Sequence, residues 1–172
     1  DDVQRVVDAA LESFGKIDIL VHNVGYYHEE PFDLLSFDEW KRTQEIVLDT
    51  LFHMIRGVLP HMKKEGFGRI ISFSSDTVWL GTPYLAHYVT AKIGVIGLTR
   101  SLAAEIGKYG ITINTVSVGL TATQSATGGN VGSTMLEHIL PTQAVHRPDE
   151  PEDIANVVAF LALPASGIIT GQ

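Results

Sequence analysis

Residues 69–74, Arg-Ile-Ile-Ser-Phe-Ser, precede a long helical pattern at 84–107 and a second short stretch at 111–116, Ile-Thr-Ile-Asn-Thr-Val. The two short stretches are rich in β-branched and aromatic side chains, and this composition favours β-strands. A strand, a crossover helix and a further strand form a βαβ unit, in which the two strands lie parallel. The sequence therefore predicts an α/β fold with a parallel sheet.

The upstream sequence continues the alternation of helices and strands. Residues 2–14 carry apolar side chains at helical spacing, and residues 17–21 form a short, mostly apolar stretch that predicts a strand. A second helix is predicted over residues 36–59. Ser36 is its candidate N-cap, with Glu39 three residues later as in a capping box. Pro60 is expected to end or kink that helix.

The downstream sequence is less regular. Residues 119–148 contain clusters of Gly, Thr, Ser and Asn and are expected to form a loop with one short helix. Residues 151–161 predict a helix with Pro151 in its first turn. Residues 168–170 are interpreted as the start of a fourth strand.

The composition excludes several classes of site. The chain has 172 residues, 45% of them hydrophobic, a formal net charge of −8 and no cysteine. Disulfides and thiolate metal sites are therefore excluded, and the acidic balance argues against nucleic-acid binding. The chain has no apolar run of the roughly 20 residues that span a bilayer. We expect a soluble, cytoplasmic protein that binds no metal.

Polar or small residues follow each predicted strand. His22, Asn23 and Gly25 follow the first strand, Ser75 follows the second, and Gly119 follows the third. Ligands of parallel α/β sheets bind beyond the carboxyl ends of the strands, so this is where a site is expected. Each of these residues taken alone is better explained as an ordinary turn residue.

Tyr88 and Lys92 are four residues apart on the predicted helix, so their side chains lie on the same face. An ammonium near a phenol favours the phenolate and lowers the pKa of the phenol, which can then exchange a proton with a substrate oxygen. A tyrosine packed on the aliphatic part of a surface lysine is the alternative explanation. Ser75 precedes Tyr88 by 13 residues and could hydrogen-bond the same oxygen.

These motifs, in this order, resemble the short-chain dehydrogenase/reductase family, especially its 3-oxoacyl-(acyl-carrier-protein)-reductase-like members. The resemblance extends over nearly the whole chain. It rests on Asn23-Val24-Gly25, Gly68 to Ser75, the Tyr88-x-x-x-Lys92 pair, Ile111 to Gly119, and Ile169 to Gln172. The resemblance implies a Rossmann-type, three-layer, doubly wound parallel sheet. Only the second, catalytic half of that sheet is expected here, because the first strands and the Gly-rich cofactor-binding turn of the family are missing.

The resemblance also implies residue roles. Tyr88 would be the general acid/base, Lys92 would lower its pKa and bind the nicotinamide ribose, and Ser75 would polarise the substrate carbonyl. The remaining residues expected to border NAD or NADP are Asn23, Gly25, Gly119, Thr121 and Thr123. Residues of about 120–148 would form a lid over a small alcohol or ketone substrate. A homodimer or homotetramer is also implied, and residues 1–172 would be one partial domain that binds dinucleotide weakly by itself.

Two departures from the family pattern affect the expected chemistry. Val47 occupies the position at which the family usually has an asparagine that holds a water for proton relay. Either the relay takes another route or catalysis is weakened, which leaves a catalytically impaired binding or scaffold protein as an alternative. His22 replaces the first asparagine of the Asn-Asn-Ala-Gly motif, and this replacement is expected to disturb a hydrogen bond that braces the sheet. A hydrolase that uses Ser75 is disfavoured, because the Gly-x-Ser-x-Gly elbow is missing.

Overall fold

The sheet has three parallel strands. The structure, a computed structural model, describes residues 2–123 and 140–172. The strands are β1 (Ile19–His22), β2 (Gly68–Ser75) and β3 (Ile111–Val118), in the spatial order β1-β2-β3. The central strand β2 is buried along almost its whole length, as the apolar run at 69–74 predicts. The α/β class with a parallel sheet is confirmed.

The helices follow the predicted order, with two differences: the helix expected at 36–59 is divided, and a short helix at Thr77–Leu80 was not predicted. The divided helix is two α-helices joined by a π-helical turn at Glu45–Asp49. Pro60 lies inside the second of them instead of ending it, because the apolar face continues through Met62 into the core. The α-helices of the described residues are α1 (Asp2–Phe14), α2 (Phe37–Gln44), α3 (Thr50–Glu65), α4 (Thr77–Leu80), α5 (Ala86–Ile106) and α6 (Pro151–Ala162).

The helix ends have identifiable causes. Ser36 is the N-cap of α2, and its hydroxyl accepts a hydrogen bond from the backbone N–H of Glu39. α3 ends at Gly66, which has the left-handed backbone (φ +67°) that glycine adopts without steric cost. α5 begins at Ala86, two residues later than predicted, because Tyr84 has a φ of +65° that no α-helical residue adopts.

Alternate residues of β2 face two different helix layers. The Ser74 hydroxyl donates to the carbonyl of Lys92 in α5, whereas the Arg69 guanidinium donates to the carbonyl of Leu163 just after α6. The two residues are an odd number of positions apart, so α5 and α6 lie on opposite faces of the sheet. This is the predicted three-layer arrangement.

The predicted position of the fourth strand is wrong. Residues 168–170 form no strand, and Ile168 is almost fully exposed. Backbone bonding to β3 begins only at Gly171, whose N–H donates to Ile113, and Gln172, whose carbonyl accepts from Thr115. Of the predicted loop at 119–148, residues 124–139 lie outside the described residues. Leu140–Thr142 form a single 3-10 turn.

Candidate active site

A cleft of about 1160 Å³ opens beyond the carboxyl ends of the three strands. The structure brings together around it every residue that the sequence predicts for catalysis and cofactor binding: Asn23, Gly25, Ser75, Tyr88, Lys92, Gly119, Thr121 and Thr123. They come from the ends of three strands and from the first turns of α5. Parallel strands end at the same edge of the sheet, and this explains why residues so far apart in sequence meet here.

Lys92 is held beneath Tyr88 by a backbone contact. Its ammonium lies 5.7 Å from the centroid of the Tyr88 ring and donates a 2.9 Å hydrogen bond to the carbonyl of Phe73 in β2. The lysine is only 5% exposed. This burial lowers the pKa of Lys92 to about 8, because removal from water disfavours the charged amine.

Tyr88 is half-buried, and several neighbours act on its phenol. Burial raises the pKa of Tyr88, the neighbouring Ser75 hydroxyl lowers it, and the negative charge of Asp76 raises it. The net direction is upward, opposite to the effect expected from Lys92 alone, because the loss of hydration outweighs the other contributions. The surroundings therefore favour the protonated phenol, the form that donates a proton to a substrate oxygen.

The Ser75 hydroxyl is oriented by Thr77, a residue that the sequence analysis missed. The Thr77 hydroxyl donates to Ser75 Oγ at 2.9 Å, and the Thr77 backbone N–H donates to the same atom at 3.3 Å. Ser75 itself donates to Asp76 Oδ1 at 3.3 Å. A Ser-x-Thr sequence directly after a strand would have been the available signal, since such hydroxyls often bond locally to the backbone.

The two glycines that line the cleft have different surroundings. A Cβ on Gly25 would meet nothing within 4 Å, whereas a Cβ on Gly119 would lie 3.3 Å from Asp76 Oδ2 and 3.4 Å from Asp149 Oδ2. Thr121 forms a β-bridge with Asp149, which anchors the segment after β3 against the loop before α6. The backbone at Gly25 is therefore open to a ligand, whereas Gly119 lies close to two carboxylates.

Tyr27 lines the cleft beside Tyr88. The Tyr27 ring packs edge-on against the Tyr88 ring, with 5.4 Å between centroids, and its hydroxyl donates to Glu29 at 2.7 Å. Trp79 and Tyr84 are exposed and do not line the cleft. Tyr27 is thus placed to contact a substrate at Tyr88.

Comparison with known proteins identifies the fold family. The family model described as Enoyl-(Acyl carrier protein) reductase matches residues 1–172. The chain belongs to the short-chain dehydrogenase/reductase family. The predicted 3-oxoacyl-(acyl-carrier-protein)-reductase-like character is confirmed, because several relatives with that name match nearly the whole chain.

Three relatives illustrate the match. The short-chain reductase protein NovJ of Streptomyces niveus is 36% identical over 99% of this chain and 66% of its own length. The 3-oxoacyl-[acyl-carrier-protein] reductase FabG of Vibrio cholerae is 34% identical over 100% of this chain and 70% of its length. D-beta-hydroxybutyrate dehydrogenase of Rhizobium meliloti is 34% identical over 98% of this chain and 62% of its length. The chain therefore spans about two thirds of the length of these relatives.

Val47, which stands where the resemblance implies an asparagine, is an apolar core residue. It lies in the π-helical turn and is 1% exposed. His22, which stands where the resemblance implies the first asparagine of the family motif, makes a hydrogen bond to α3, since its Nε2 atom lies 2.9 Å from the hydroxyl of Thr50.

No helix in residues 2–123 or 140–172 is both long enough and apolar enough to cross a membrane. Over the same two ranges, no three histidine, aspartate or glutamate side chains are grouped so that they could hold a metal ion.

Proposed function

We propose that the protein is an NAD(P)-dependent oxidoreductase that interconverts a secondary alcohol and a ketone, with Tyr88 as the general acid/base. The observation that supports this proposal is the convergence of Tyr88, Lys92 and Ser75 on one wall of the cleft. The phenol and the serine hydroxyl are placed to reach one substrate oxygen, and the ammonium lies behind the phenol. Family membership and the names of the relatives favour the same reaction class.

Tyr88 and Ser75 have defined roles in the oxidation of an alcohol. The alcohol O–H proton passes to the Tyr88 phenolate, and the carbinol carbon releases its hydrogen with both electrons, so that a C=O bond forms. A nicotinamide dinucleotide held in the cleft would supply the hydride acceptor for this oxidation and the hydride donor for the reverse reaction. In the reduction, Tyr88 returns the proton to the developing alkoxide. Ser75 donates a hydrogen bond to the same oxygen and stabilises its charge.

The residues around the cleft fit a nicotinamide dinucleotide. Gly25 leaves space for a ligand close to the backbone, Gly119 lines the cleft, and Asn23 lies between β1 and Gly25. Lys92 would bond the nicotinamide ribose, and Thr121 and Thr123 would border the nicotinamide itself. The proposed cofactor is NAD or NADP.

The same proposal includes a small-molecule substrate and a homodimer or homotetramer. Phe52 of α3 and Ile93 of α5 are apolar side chains that are 43% and 48% exposed. Apolar side chains of this size on two helices favour a contact between subunits.

A catalytically impaired binding protein is the second candidate, and it is favoured by one observation. Val47 offers no hydrogen-bonding group where the family has its asparagine, and its side chain is buried in the core. A binding protein would retain affinity for dinucleotide without turnover.

The test is the Tyr88→Phe substitution in the full-length protein, with Tyr109→Phe at the opposite end of β3 as the matched control. Loss of a positioned general acid/base lowers turnover by roughly 10²–10⁴-fold. We expect that loss for Tyr88→Phe with an unchanged thermal midpoint, and full turnover for Tyr109→Phe. Turnover at the unsubstituted rate in Tyr88→Phe would refute the proposed role, and dinucleotide binding without any turnover in the unsubstituted protein would favour the binding protein.

A further inference from the structure

The proton of the Ser75 hydroxyl is directed at a neighbouring carboxylate. Ser75 Oγ accepts two hydrogen bonds from Thr77, at 2.9 Å from its hydroxyl and at 3.3 Å from its backbone N–H. The serine donates its own proton to Asp76 Oδ1 at 3.3 Å. A serine hydroxyl has one proton and two lone pairs, so all three are in use. A substrate oxygen can therefore receive the serine proton only if Asp76 gives it up.

Asp76 depends on that proton in turn. A carboxylate only accepts hydrogen bonds, and within the described part of the chain the Ser75 hydroxyl is the one group that donates to it. The Asp76 side chain makes no capping bond to α4, although the residue is the N-cap of that helix. Asp76 is partly buried in the wall of the cleft. A carboxylate that loses its donor where a ligand also displaces water is unfavourable, so Asp76 then needs a new donor.

The other charged groups of the cleft do not favour an anion at this position. Among the described residues that line it, Glu29 and Asp76 are acidic and Lys92 is basic. The Lys92 ammonium lies under the Tyr88 ring and donates to a backbone carbonyl of β2. Asp149 adds a further carboxylate on the other side of Gly119. Next to Ser75 the cleft therefore presents hydrogen-bond acceptors to a substrate.

The distances limit where the new donor can lie on the substrate. A hydrogen bond places the substrate oxygen about 2.8 Å from Ser75 Oγ, and Oγ lies 3.3 Å from Asp76 Oδ1. The substrate oxygen and the carboxylate are therefore no more than about 6 Å apart. A hydroxyl on the carbon next to the carbonyl fits into this gap and reaches Asp76 over a normal hydrogen-bond length.

We infer that Asp76 is a specificity-determining residue, and that the substrates are α-hydroxy ketones and the corresponding vicinal diols. The inference rests on the proposed function and names the substrate class of the same site. The second hydroxyl of the substrate donates to Asp76, and this releases the Ser75 proton for the reacting oxygen. In the reduction the carbonyl carbon gains a hydride from the reduced dinucleotide, and the carbonyl oxygen gains the Tyr88 proton. The second hydroxyl forms and breaks no covalent bond.

The first experiment compares two ketones of nearly the same shape in the full-length protein. They are α-hydroxyacetophenone and propiophenone, in which a methyl group replaces the hydroxyl. Their phenyl group suits the apolar side chains of the cleft, such as Leu80 and Val158. Because a hydrogen bond to a charged group favours the hydroxy ketone, we expect its kcat/KM to be roughly 10–100-fold higher. Equal values for the two ketones would overturn the inference.

Three variants test whether Asp76 causes this preference. Asp76→Ala removes the carboxylate, and Asp76→Asn keeps an acceptor oxygen and provides the test if the alanine variant does not fold. Asp149→Ala is the matched control, because its carboxylate also lies beside Gly119 but does not receive the Ser75 proton. We expect the preference to fall to about one in Asp76→Ala, to decrease less in Asp76→Asn, and to persist in Asp149→Ala.

Propiophenone distinguishes specificity from a structural role. Its kcat/KM should rise about fivefold in Asp76→Ala, because no carboxylate then competes for the Ser75 proton. A structural role of Asp76 would instead lower kcat/KM for both ketones together. That result would overturn the inference, and so would a preference that survives the removal of the carboxylate.

The second experiment does not depend on turnover. Calorimetry measures the binding of phenylethane-1,2-diol and of 1-phenylpropan-1-ol to the full-length protein with reduced dinucleotide, a combination that cannot react. We expect a roughly 10–100-fold lower Kd for the diol, and equal values in Asp76→Ala. Equal affinities in the unsubstituted protein, or no binding of either compound, would overturn the inference. Because either result leaves the loss of activity in Tyr88→Phe intact, it is distinguishable from failure of the proposed function.

Discussion

The Lys92 ammonium donates its hydrogen bond to the carbonyl of Phe73, in the strand that ends in Ser75. This bond ties α5 to the central strand at the point where the cleft begins. It also fixes a charged group in a nearly water-free position, at 5% exposure. Such a placement is unfavourable for folding and is expected where a function requires the charge.

The first prediction is that Lys92→Met stabilises the full-length protein at pH 7 while it abolishes turnover. Burial lowers the pKa of Lys92 from 10.5 to about 8. Removal of the buried amine gains about 1.4 kcal/mol for each unit by which the pKa is shifted. Loss of the hydrogen bond to Phe73 costs about 1 kcal/mol. The expected net gain in the free energy of unfolding is roughly 2 kcal/mol. Urea unfolding at pH 7 measures it.

The pH dependence of this gain has a definite sign. Between about pH 8 and pH 10.5 the unfolded chain binds more protons at Lys92 than the folded chain does, so the stability of the unsubstituted protein rises with pH there. The advantage of Lys92→Met should therefore shrink as the pH is raised toward 10. An advantage of constant size across that window would contradict the burial argument.

The fold and the centre of this site could be predicted because they rest on short-range patterns. The apolar runs before Val21 and Ser74 predict strands, and the four-residue spacing of Tyr88 and Lys92 places both on one helix face. Since parallel strands end at one edge, the residues that follow them meet there. These predictions require no knowledge of contacts between residues that are distant in the sequence.

The remaining features depend on such contacts and were therefore missed. The hydrogen bond between His22 and Thr50 joins residues 28 positions apart, and no local sequence pattern predicts it. Pro60 was expected to end a helix that tertiary packing continues to Glu65. The upward direction of the Tyr88 pKa likewise reflects burial, which the Tyr-x-x-x-Lys pattern does not contain.

The second prediction concerns Thr77, which orients the Ser75 hydroxyl through hydrogen bonds. Two donors from Thr77 occupy the lone pairs of Ser75 Oγ, so the serine proton points away from them, toward Asp76 here and toward a substrate oxygen when one is bound. Thr77→Val removes the stronger donor, and one such hydrogen bond is worth about 1 kcal/mol. We expect kcat to fall about fivefold.

Thr77→Ser is the control for this prediction, because it keeps the hydroxyl and should retain kcat. KM for the cofactor should be unchanged in both variants, since Thr77 acts on the serine alone. Equal loss in Thr77→Ser and Thr77→Val would mean that the methyl group, and not the hydrogen bond, matters.

The last prediction is that Val47→Asn, which restores the usual residue of the family, does not raise turnover. Val47 is 1% exposed and packs in the core, so an asparagine there would bury an amide without a partner. Such burial costs about 1–3 kcal/mol, and we expect an equal loss in urea unfolding. The new amide would lie in the hydrophobic core, and we therefore expect it to add nothing to the reaction. Measurement of kcat in Val47→Asn checks this prediction, and a strong gain would show that the asparagine was the missing part.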